Sequence, residues 1–290
     1  MTDRIAVVGA GQMGNGIAHV FAQHGFPVTM IDVSQDALDK GRANIARNIE
    51  RQVKKGTIPA QDQVSILSRI DLSMDLAAAA DASLVVEAAS EDSGLKYRIF
   101  TDLDRVAKPE TILATNTSSI SITEIARRTS RPGKVIGMHF MNPVPVMKLV
   151  EIIRGLATSD ETTKRVMDLA LQLEKTPVEV NDYPGFVSNR VLMPMINEAV
   201  YTLYEGVGSV EAIDTAMKLG ANHPMGPFEL ADFIGLDTCL SVMQVPYEGL
   251  ADSKYRPCPL LVKYVEAGWV GRKVKRGFYD YSGERPVPTR

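Results

Sequence analysis

Short apolar segments alternate with longer helical ones over the first half of the chain. Each apolar segment is rich in β-branched residues and is bounded by Gly, Asp or Asn, which is typical of buried parallel strands joined by helices. A helix is predicted over residues 36–55, after the suitable N-cap Ser34, and it ends at Gly56. The predicted strands are residues 5–8, 28–31, 84–86, 112–114, 135–138, 148–153 and 178–180.

The pattern changes after residues 181–185, a cluster of turn formers with the sequence Asn-Asp-Tyr-Pro-Gly. Beyond this cluster no strand is predicted, and apolar residues recur at helical spacing between Leu192 and Leu203. We therefore predict two domains. An α/β domain with a mostly parallel sheet covers residues 1–182, and an all-helical C-terminal domain covers residues 183–290.

Composition and charge exclude several classes of protein. The 290 residues are 45% apolar and 23% charged, which is ordinary for a globular enzyme. A net charge of −3 argues against a nucleic-acid-binding protein, which usually has a strong basic excess. No apolar run approaches the ~20 residues that span a bilayer. Two cysteines, Cys239 and Cys258, are too few for a disulfide framework. Since no secretory signal is recognised, we expect a cytoplasmic protein.

A glycine-rich motif, Gly9-Ala10-Gly11-Gln12-Met13-Gly14, follows the first predicted strand and begins a predicted helix. In this context it indicates a Rossmann-type dinucleotide site, because the helix N-terminus presents N–H groups to a pyrophosphate. Asp32 follows the second predicted strand, 18 residues after the third glycine. Its carboxylate can bind ribose hydroxyls and would repel a 2′-phosphate, so we predict NAD rather than NADP. FAD, or a turn that binds nothing, are the alternatives.

Further polar residues lie at the carboxyl ends of predicted strands, where a parallel sheet binds its ligands. Asn116 and Ser118 follow one strand, and His139 follows the next. Glu151 lies within the apolar run of the strand after that, where an unpaired carboxylate is costly. We predict that Glu151 pairs with His139 and orients its imidazole for proton transfer, with a purely structural histidine as the alternative. No second His or Cys lies nearby at ligand spacing, so no metal is predicted.

Two other features allow more than one interpretation. Arg51, Lys54 and Lys55 form a basic cluster at the end of the predicted helix over residues 36–55. This cluster is either a solvated helix end, where cations suit the dipole, or a contact for the phosphates of a large anionic substrate. Asn189 lies near the start of the first helix after the boundary, and it is either a cap or surface residue or part of the site.

These features together resemble the 3-hydroxyacyl-CoA dehydrogenase family, in its single-function 3-hydroxybutyryl-CoA type. The most specific match is the block from His139 to Glu151, HFMNPVPVMKLVE. The chain departs from the family in having Asp92 after Glu91, where Asn is frequent, and Met141, where Phe is frequent. The other matching segments, in family order over nearly the whole chain, are residues 7–14, 85–89, 114–119, 184–190 and 224–230.

The resemblance implies NAD-dependent interconversion of a short (S)-3-hydroxyacyl-CoA, such as 3-hydroxybutyryl-CoA, and the 3-ketoacyl-CoA. It implies that His139 and Glu151 transfer the proton and that Ser118 and Asn189 lie near the substrate oxygen. The C-terminal domain is implied to contribute to the substrate cleft and to form a homodimer. The motif and the resemblance together predict cofactor contacts at Gly9, Gly11, Gln12, Met13, Gly14, Asp32, Glu91, Lys96, Asn116, Ser118, Asn142 and Lys273. The predicted coenzyme A contacts are Ser118, Asn48, Arg51 and Lys55, of which Lys55 matches best.

Two other functions remain open on the sequence alone. One is a dehydrogenase of the L-gulonate type, which has the same scaffold and acts on a free acid. The other is a non-catalytic, crystallin-like protein that binds NAD. The intact pair of His139 and Glu151 favours an enzyme over the second alternative.

Overall fold

The computed structural model describes residues 3–289 and divides the chain into two compact units, Met1–Tyr183 and Pro184–Arg290. A hydrophobic core lies within each unit. In the described part of the chain, no helix has both the length and the apolar character needed to cross a membrane.

One mixed sheet forms the centre of the first unit. Its strands are β1 (Ile5–Val8), β2 (Val28–Ile31), β3 (Ile70–Ser73), β4 (Leu84–Glu87), β5 (Ile112–Thr115), β6 (Val135–Phe140), β7 (Leu149–Arg154) and β8 (Thr176–Asn181). The spatial order is β3-β2-β1-β4-β5-β6-β7-β8. Neighbouring strands are parallel except for β6 and β7, which pair antiparallel. The predicted Rossmann-type, mostly parallel sheet is therefore confirmed.

Helices connect these strands as the periodicity predicts. They are α1 (Gln12–Gln23), α2 (Gln35–Lys54), α3 (Asp62–Ser68), α4 (Ser93–Val106), α5 (Ile122–Ala126) and α6 (Asp160–Gln172). Helix α2 begins where the sequence indicates, because the Ser34 hydroxyl accepts a 3.2 Å hydrogen bond from the N–H of Ala37. Its apolar face buries Leu38, Ile45 and Ile49 against the sheet core.

Strand β3 was not predicted from the sequence. It lies at the edge of the sheet and pairs only with β2 among the described strands. Apolar Ile70 and Leu72 alternate with polar Asp71 and Ser73, so the segment lacks the continuous apolar run that marks the central strands. The short alternating pattern was the signal available for it.

The second unit is a bundle of helices, as predicted. Its helices are α7 (Ser188–Tyr204), α8 (Val210–Gly220), α9 (Pro227–Ile234), α10 (Leu236–Leu250) and α11 (Pro259–Glu266). One detail of the all-helical prediction was wrong, because β9 (Tyr279–Asp280) and β10 (Val287–Pro288) form a short antiparallel pair. The buried carboxylate of Asp232 accepts hydrogen bonds from the N–H groups of Phe278 and Tyr279 at 2.9 Å each. This long-range anchor leaves no periodic signal in the sequence.

Candidate active site

The glycine-rich turn between β1 and α1 has two glycines that the protein's own packing requires. Gly9 has a φ of +105°, and a Cβ there would lie 2.6 Å from the carbonyl oxygen of Ala88. A Cβ at Gly14 would lie 1.8 Å from the carbonyl oxygen of Gly9. A Cβ at Gly11, in contrast, would meet nothing within 4 Å. Packing therefore explains the first and third glycines, whereas the second faces open space and suits the close approach of a ligand's phosphates.

Asp32 joins the end of β2 to this turn. Its Oδ2 accepts a 2.8 Å hydrogen bond from the N–H of Ala10, and its Oδ1 accepts a 3.0 Å bond from the N–H of Ser34. The side chain is half-buried. A carboxylate offers about four lone-pair sites, so these two bonds fix its orientation while it can still accept from hydroxyl groups. The residues at this end of the sheet thus fit the adenosine half of a dinucleotide.

His139 and Glu151 meet because the sheet register places them opposite each other. They are paired residues in the antiparallel β6–β7 ladder. The Nδ1 atom of His139 lies 2.8 Å from Oε2 of Glu151, and its Nε2 lies 3.1 Å from the Oγ of Ser118. Both residues are buried, since His139 exposes 6% of its surface and Glu151 exposes 1%. Since an ionised carboxylate only accepts hydrogen bonds, Nδ1 donates to it, and Nε2 is the nitrogen that faces Ser118.

Glu91 holds the loop that carries Ser118. Its Oε1 accepts hydrogen bonds from the N–H of Ser118 at 2.8 Å, from the hydroxyl of Ser119 at 2.8 Å and from the hydroxyl of Thr117 at 2.5 Å. Burial alone would raise the pKa of Glu91. The charge of Lys96 and these hydrogen bonds outweigh burial and hold the pKa below its usual range. The carboxylate is therefore ionised and fixes the position of Ser118.

Glu91 contacts a buried ion pair between Lys96 and Glu87, of which the sequence analysis named Lys96 but not Glu87. Lys96, predicted as a cofactor contact, is 1% exposed, and its Nζ lies 2.7 Å from Oε1 of Glu87 and 3.5 Å from Oε2 of Glu91. Glu87 also accepts a 2.7 Å hydrogen bond from the hydroxyl of Thr115. The argument that gave Glu151 a partner applies equally to Glu87, which ends the apolar strand β4. Lys96 thus has internal partners, and its contact with NAD stays a prediction.

Two asparagines predicted as cofactor contacts make internal hydrogen bonds. The Oδ1 of Asn116 accepts a 2.9 Å bond from the N–H of Phe140, which ties the end of β5 to the end of β6. The Oδ1 of Asn142 accepts a 3.0 Å bond from Nε2 of Gln12 at the start of α1. Met13, the next residue of the motif, packs against the core of the first unit. These bonds hold the strand ends and the glycine-rich turn in a fixed arrangement.

Asp92, one of the two departures from the family pattern, has a local structural role. Its Oδ1 accepts a 2.6 Å hydrogen bond from the N–H of Leu95 and so caps the N-terminus of α4. The second departure, Met141, follows Phe140, which is buried at the end of β6. Because Asp and Asn are similarly good N-cap residues, we expect the first departure to preserve the start of α4.

A cleft of about 700 Å³ lies between the glycine-rich turn, α2 and residues 142–145. Two of the predicted coenzyme A contacts, Asn48 and Arg51, line it. Lys55, the best match by resemblance, is exposed at the C-cap of α2 and is absent from the lining. Sequence reasoning missed four other polar residues that α2 contributes, namely Asp36, Lys40, Asn44 and Arg47. The helical spacing of this polar face was the available signal.

Two predicted site residues belong to the second unit. Asn189 is the second residue of α7. Lys273 forms an ion pair with Asp237, with its Nζ 2.7 Å from Oδ1 and 2.5 Å from Oδ2. The first unit therefore brings together His139, Glu151 and Ser118, while the roles of Asn189 and Lys273 stay predictions.

Comparison with known proteins identifies the family. Residues 4–183 match the family model described as 3-hydroxyacyl-CoA dehydrogenase, NAD binding domain, and residues 185–281 match the model described as 3-hydroxyacyl-CoA dehydrogenase, C-terminal domain. The chain belongs to the 3-hydroxyacyl-CoA dehydrogenase family. This membership confirms the predicted class of enzyme, an NAD-dependent dehydrogenase, and confirms NAD rather than FAD as its cofactor.

Individual relatives cover almost the entire chain. The 3-hydroxybutyryl-CoA dehydrogenase of Bradyrhizobium diazoefficiens is 61% identical over 287 residues, which are 99% of this chain and 98% of that protein. A probable 3-hydroxybutyryl-CoA dehydrogenase of Bacillus subtilis is 60% identical over 278 residues, 96% of this chain and 97% of that protein. The crystal structure of (S)-3-hydroxybutyryl-CoA dehydrogenase from Ralstonia eutropha has a TM-score of 0.95 and 50% identity, and the match covers 98% of this chain and all of that chain.

Proposed function

We propose that this chain interconverts (S)-3-hydroxybutyryl-CoA and acetoacetyl-CoA with NAD, and that His139 transfers the proton. The observation that carries the proposal is the buried arrangement of His139, with Nδ1 2.8 Å from Glu151 and Nε2 3.1 Å from Ser118. The substrate is inferred from relatives of that name at 50–61% identity over nearly the whole chain.

The protein's part in the reaction is to hold and move a proton. Bound NAD supplies the hydride chemistry, which takes place at C3 of the acyl group. In the oxidation direction Nε2 of His139 accepts the proton of the 3-hydroxyl group, and in reduction it returns a proton to the oxygen. Glu151 keeps Nδ1 protonated, fixes the ring and stabilises its cation. Such general acid–base help is typically worth about 10²–10⁴-fold in rate.

Ser118 has a positioning role in this proposal. Its hydroxyl lies next to Nε2 of His139, and its N–H is fixed by Glu91. A hydroxyl held in this way orients the substrate oxygen and polarises it as negative charge develops. Asn189, which the resemblance places near the same oxygen, would share this role.

The remaining ligand contacts follow from the cleft and the glycine-rich turn. We infer that Gly11 and Asp32 hold the pyrophosphate and the adenosine ribose of NAD, because one leaves open space and the other is an oriented carboxylate. We infer that Asn48 and Arg51, which line the cleft, contact coenzyme A. The guanidinium of Arg51 suits a phosphate geometrically. Lys55, which does not line the cleft, would attract the phosphates of coenzyme A from outside it.

The oligomeric state and the location are also proposals. The homodimer through the C-terminal unit rests on the resemblance, and the apolar side chains that such an interface would cover in this unit include Val191, Val207 and Leu219, which are 68% to 82% exposed. Sedimentation equilibrium at micromolar concentration would give twice the chain mass, and a monomer would contradict the dimer. The cytoplasmic location predicted from the sequence stays a prediction.

One assay separates the proposed function from its rivals. Oxidation of NADH would be followed with acetoacetyl-CoA, with free acetoacetate and with NADPH in place of NADH. We expect turnover with acetoacetyl-CoA and NADH, and far less when coenzyme A is removed or NADPH is used. Turnover that survives removal of coenzyme A would instead favour the L-gulonate type. Binding of NADH without turnover would favour a non-catalytic protein.

A further inference from the structure

The connection between β6 and β7, residues 141–148, forms one wall of the cleft. It carries Asn142, which is bonded to Gln12 of the glycine-rich turn, and its next three residues also line the cleft. Two of these residues are prolines without an N–H group. The backbone bonds within the connection are those from the N–H groups of Val146 and Met147 to the carbonyl of Pro143, both 3.0 Å. The connection therefore has few hydrogen bonds of its own to fix its shape.

Lys175 supplies the missing donors from a distant part of the chain. It lies between α6 and β8, is 7% exposed, and its Nζ donates to the carbonyl oxygens of Val144 at 2.6 Å and Met147 at 2.8 Å. These acceptors are 31 and 28 residues away in sequence. Val144 is also packed tightly, since a Cβ added at Gly16 would lie 2.9 Å from its Cβ. One ammonium group thus bridges two carbonyls of the connection.

The ammonium is placed there at an energetic cost. In residues 3–289, Lys175 forms no ion pair with a carboxylate. Burial, together with a smaller contribution from the charge of Lys148, lowers the pKa of Lys175 to about 8. A buried charge without a counter-ion is rarely the most stable choice, because an apolar side chain of similar volume avoids the desolvation. The cost points to a role for the charge beyond general stability.

We propose that Lys175 is a positioning residue, whose ammonium clamps the β6–β7 connection and so fixes the wall of the cleft that this connection forms beside the glycine-rich turn. This inference rests on the proposed function, in which that cleft binds NAD and acyl-CoA. His139 and Glu151 are held by the register of the sheet itself. The clamp therefore acts on ligand binding rather than on proton transfer.

The test compares Lys175→Met with Lys148→Met. The second variant is a matched control, because Lys148 is exposed and, among residues 3–289, its Nζ bonds only the carbonyl of Glu174, at 3.5 Å. Without any ligand, hydrogen exchange at Val146 and Met147 should become about tenfold faster in Lys175→Met, because local opening becomes easier. The control should exchange like the wild type.

Ligand binding gives the second readout. In Lys175→Met the Kd for NADH and the KM for acetoacetyl-CoA should rise about fivefold, since only a fraction of molecules then has the competent cleft. The kcat at saturation should stay within about threefold of wild type, because the proton-transferring pair is unaffected. Unchanged exchange together with an unchanged Kd would overturn the inference. Loss of kcat at unchanged KM would also overturn it.

The inference stays testable if Lys175→Met does not fold. In the wild-type protein, acetylation of lysines by acetic anhydride should be at least about tenfold slower at Lys175 than at Lys148, since a clamped amine reacts only after local opening. Equal rates would show that the clamp is absent. Wild-type turnover with acetoacetyl-CoA reports on the proposed function, whereas ligand-free exchange reports on the clamp, so the two can fail separately.

Discussion

Replacement of His19 by glutamine should change how stability depends on pH. His19 lies on the buried face of α1 and is 0% exposed. Neither of its ring nitrogens forms a hydrogen bond of normal geometry within the described chain. Burial is the largest cause that lowers its pKa from 6.5 to about 4; the charge of Lys175 adds to it, while contacts with Gln52 and Gln23 oppose it. The imidazole is therefore neutral in the folded protein at neutral pH.

The magnitude follows from the two pKa values. In the unfolded chain His19 binds a proton near pH 6.5, whereas in the folded protein it does so near pH 4. Because the unfolded state takes up the proton first, the free energy of unfolding is unaffected above pH 6.5 and falls as the pH decreases towards 4. At 1.36 kcal/mol per pKa unit, this difference amounts to about 3 kcal/mol.

The assay is urea unfolding, followed by circular dichroism, at several pH values between 7 and 4. Between these limits the wild type should lose about 3 kcal/mol more than His19→Gln, because the carboxylates contribute equally to both proteins. His24→Gln is the matched control, since this histidine is half-buried at the end of the same helix and bonds the carbonyl of Val20. If the free energies of unfolding of wild type and His19→Gln decreased equally with pH, the reasoning would be refuted.

Two other predictions concern ligand contacts in the first unit. Gly14→Ala should lower the free energy of unfolding by about 3 kcal/mol or more, because its Cβ would overlap a carbonyl oxygen. Gly11→Ala should unfold like the wild type in urea and bind NADH more weakly in a fluorescence titration. Equal free energies of unfolding for the two variants would contradict this. Arg51→Ala should raise the KM for acetoacetyl-CoA about tenfold, which corresponds to the loss of a charge-assisted hydrogen bond of about 1.4 kcal/mol. Lys55→Ala should raise this KM less. If steady-state kinetics gave the larger KM for Lys55→Ala, the phosphate contact would be assigned to Lys55.

The pairing of the proposed catalytic residues could be predicted because it has a local cause. Glu151 is a carboxylate in an apolar run, and the need for a partner is visible in the sequence alone. The glycine-rich turn was predictable for a similar reason, since Gly9 has a positive φ and Gly14 lies against the carbonyl of Gly9 within the same strand–turn–helix unit. The antiparallel register that aligns His139 with Glu151 was not predicted, although it is what brings the two side chains together.

Features that depend on distant contacts left little trace in the sequence. Lys175 bonds carbonyls about thirty residues earlier in the chain, and its own neighbourhood gives no sign of this. Asp232 anchors the start of β9 through the N–H groups of Phe278 and Tyr279, which are 46 and 47 residues later in the chain. In contrast, Glu87 could have been found by the argument used for Glu151, since it ends a fully buried strand.

The central claim is that His139 transfers the proton, and the most direct measurement is the kcat of His139→Ala beside its Kd for NADH. We expect kcat to fall about 10²–10⁴-fold, the usual worth of a general acid–base group, while the Kd for NADH stays near the wild-type value. The control is His24→Ala, which replaces a histidine at the C-terminal end of α1 and should keep the wild-type kcat. A kcat for His139→Ala within a few-fold of wild type, at unchanged NADH binding, would contradict the claim.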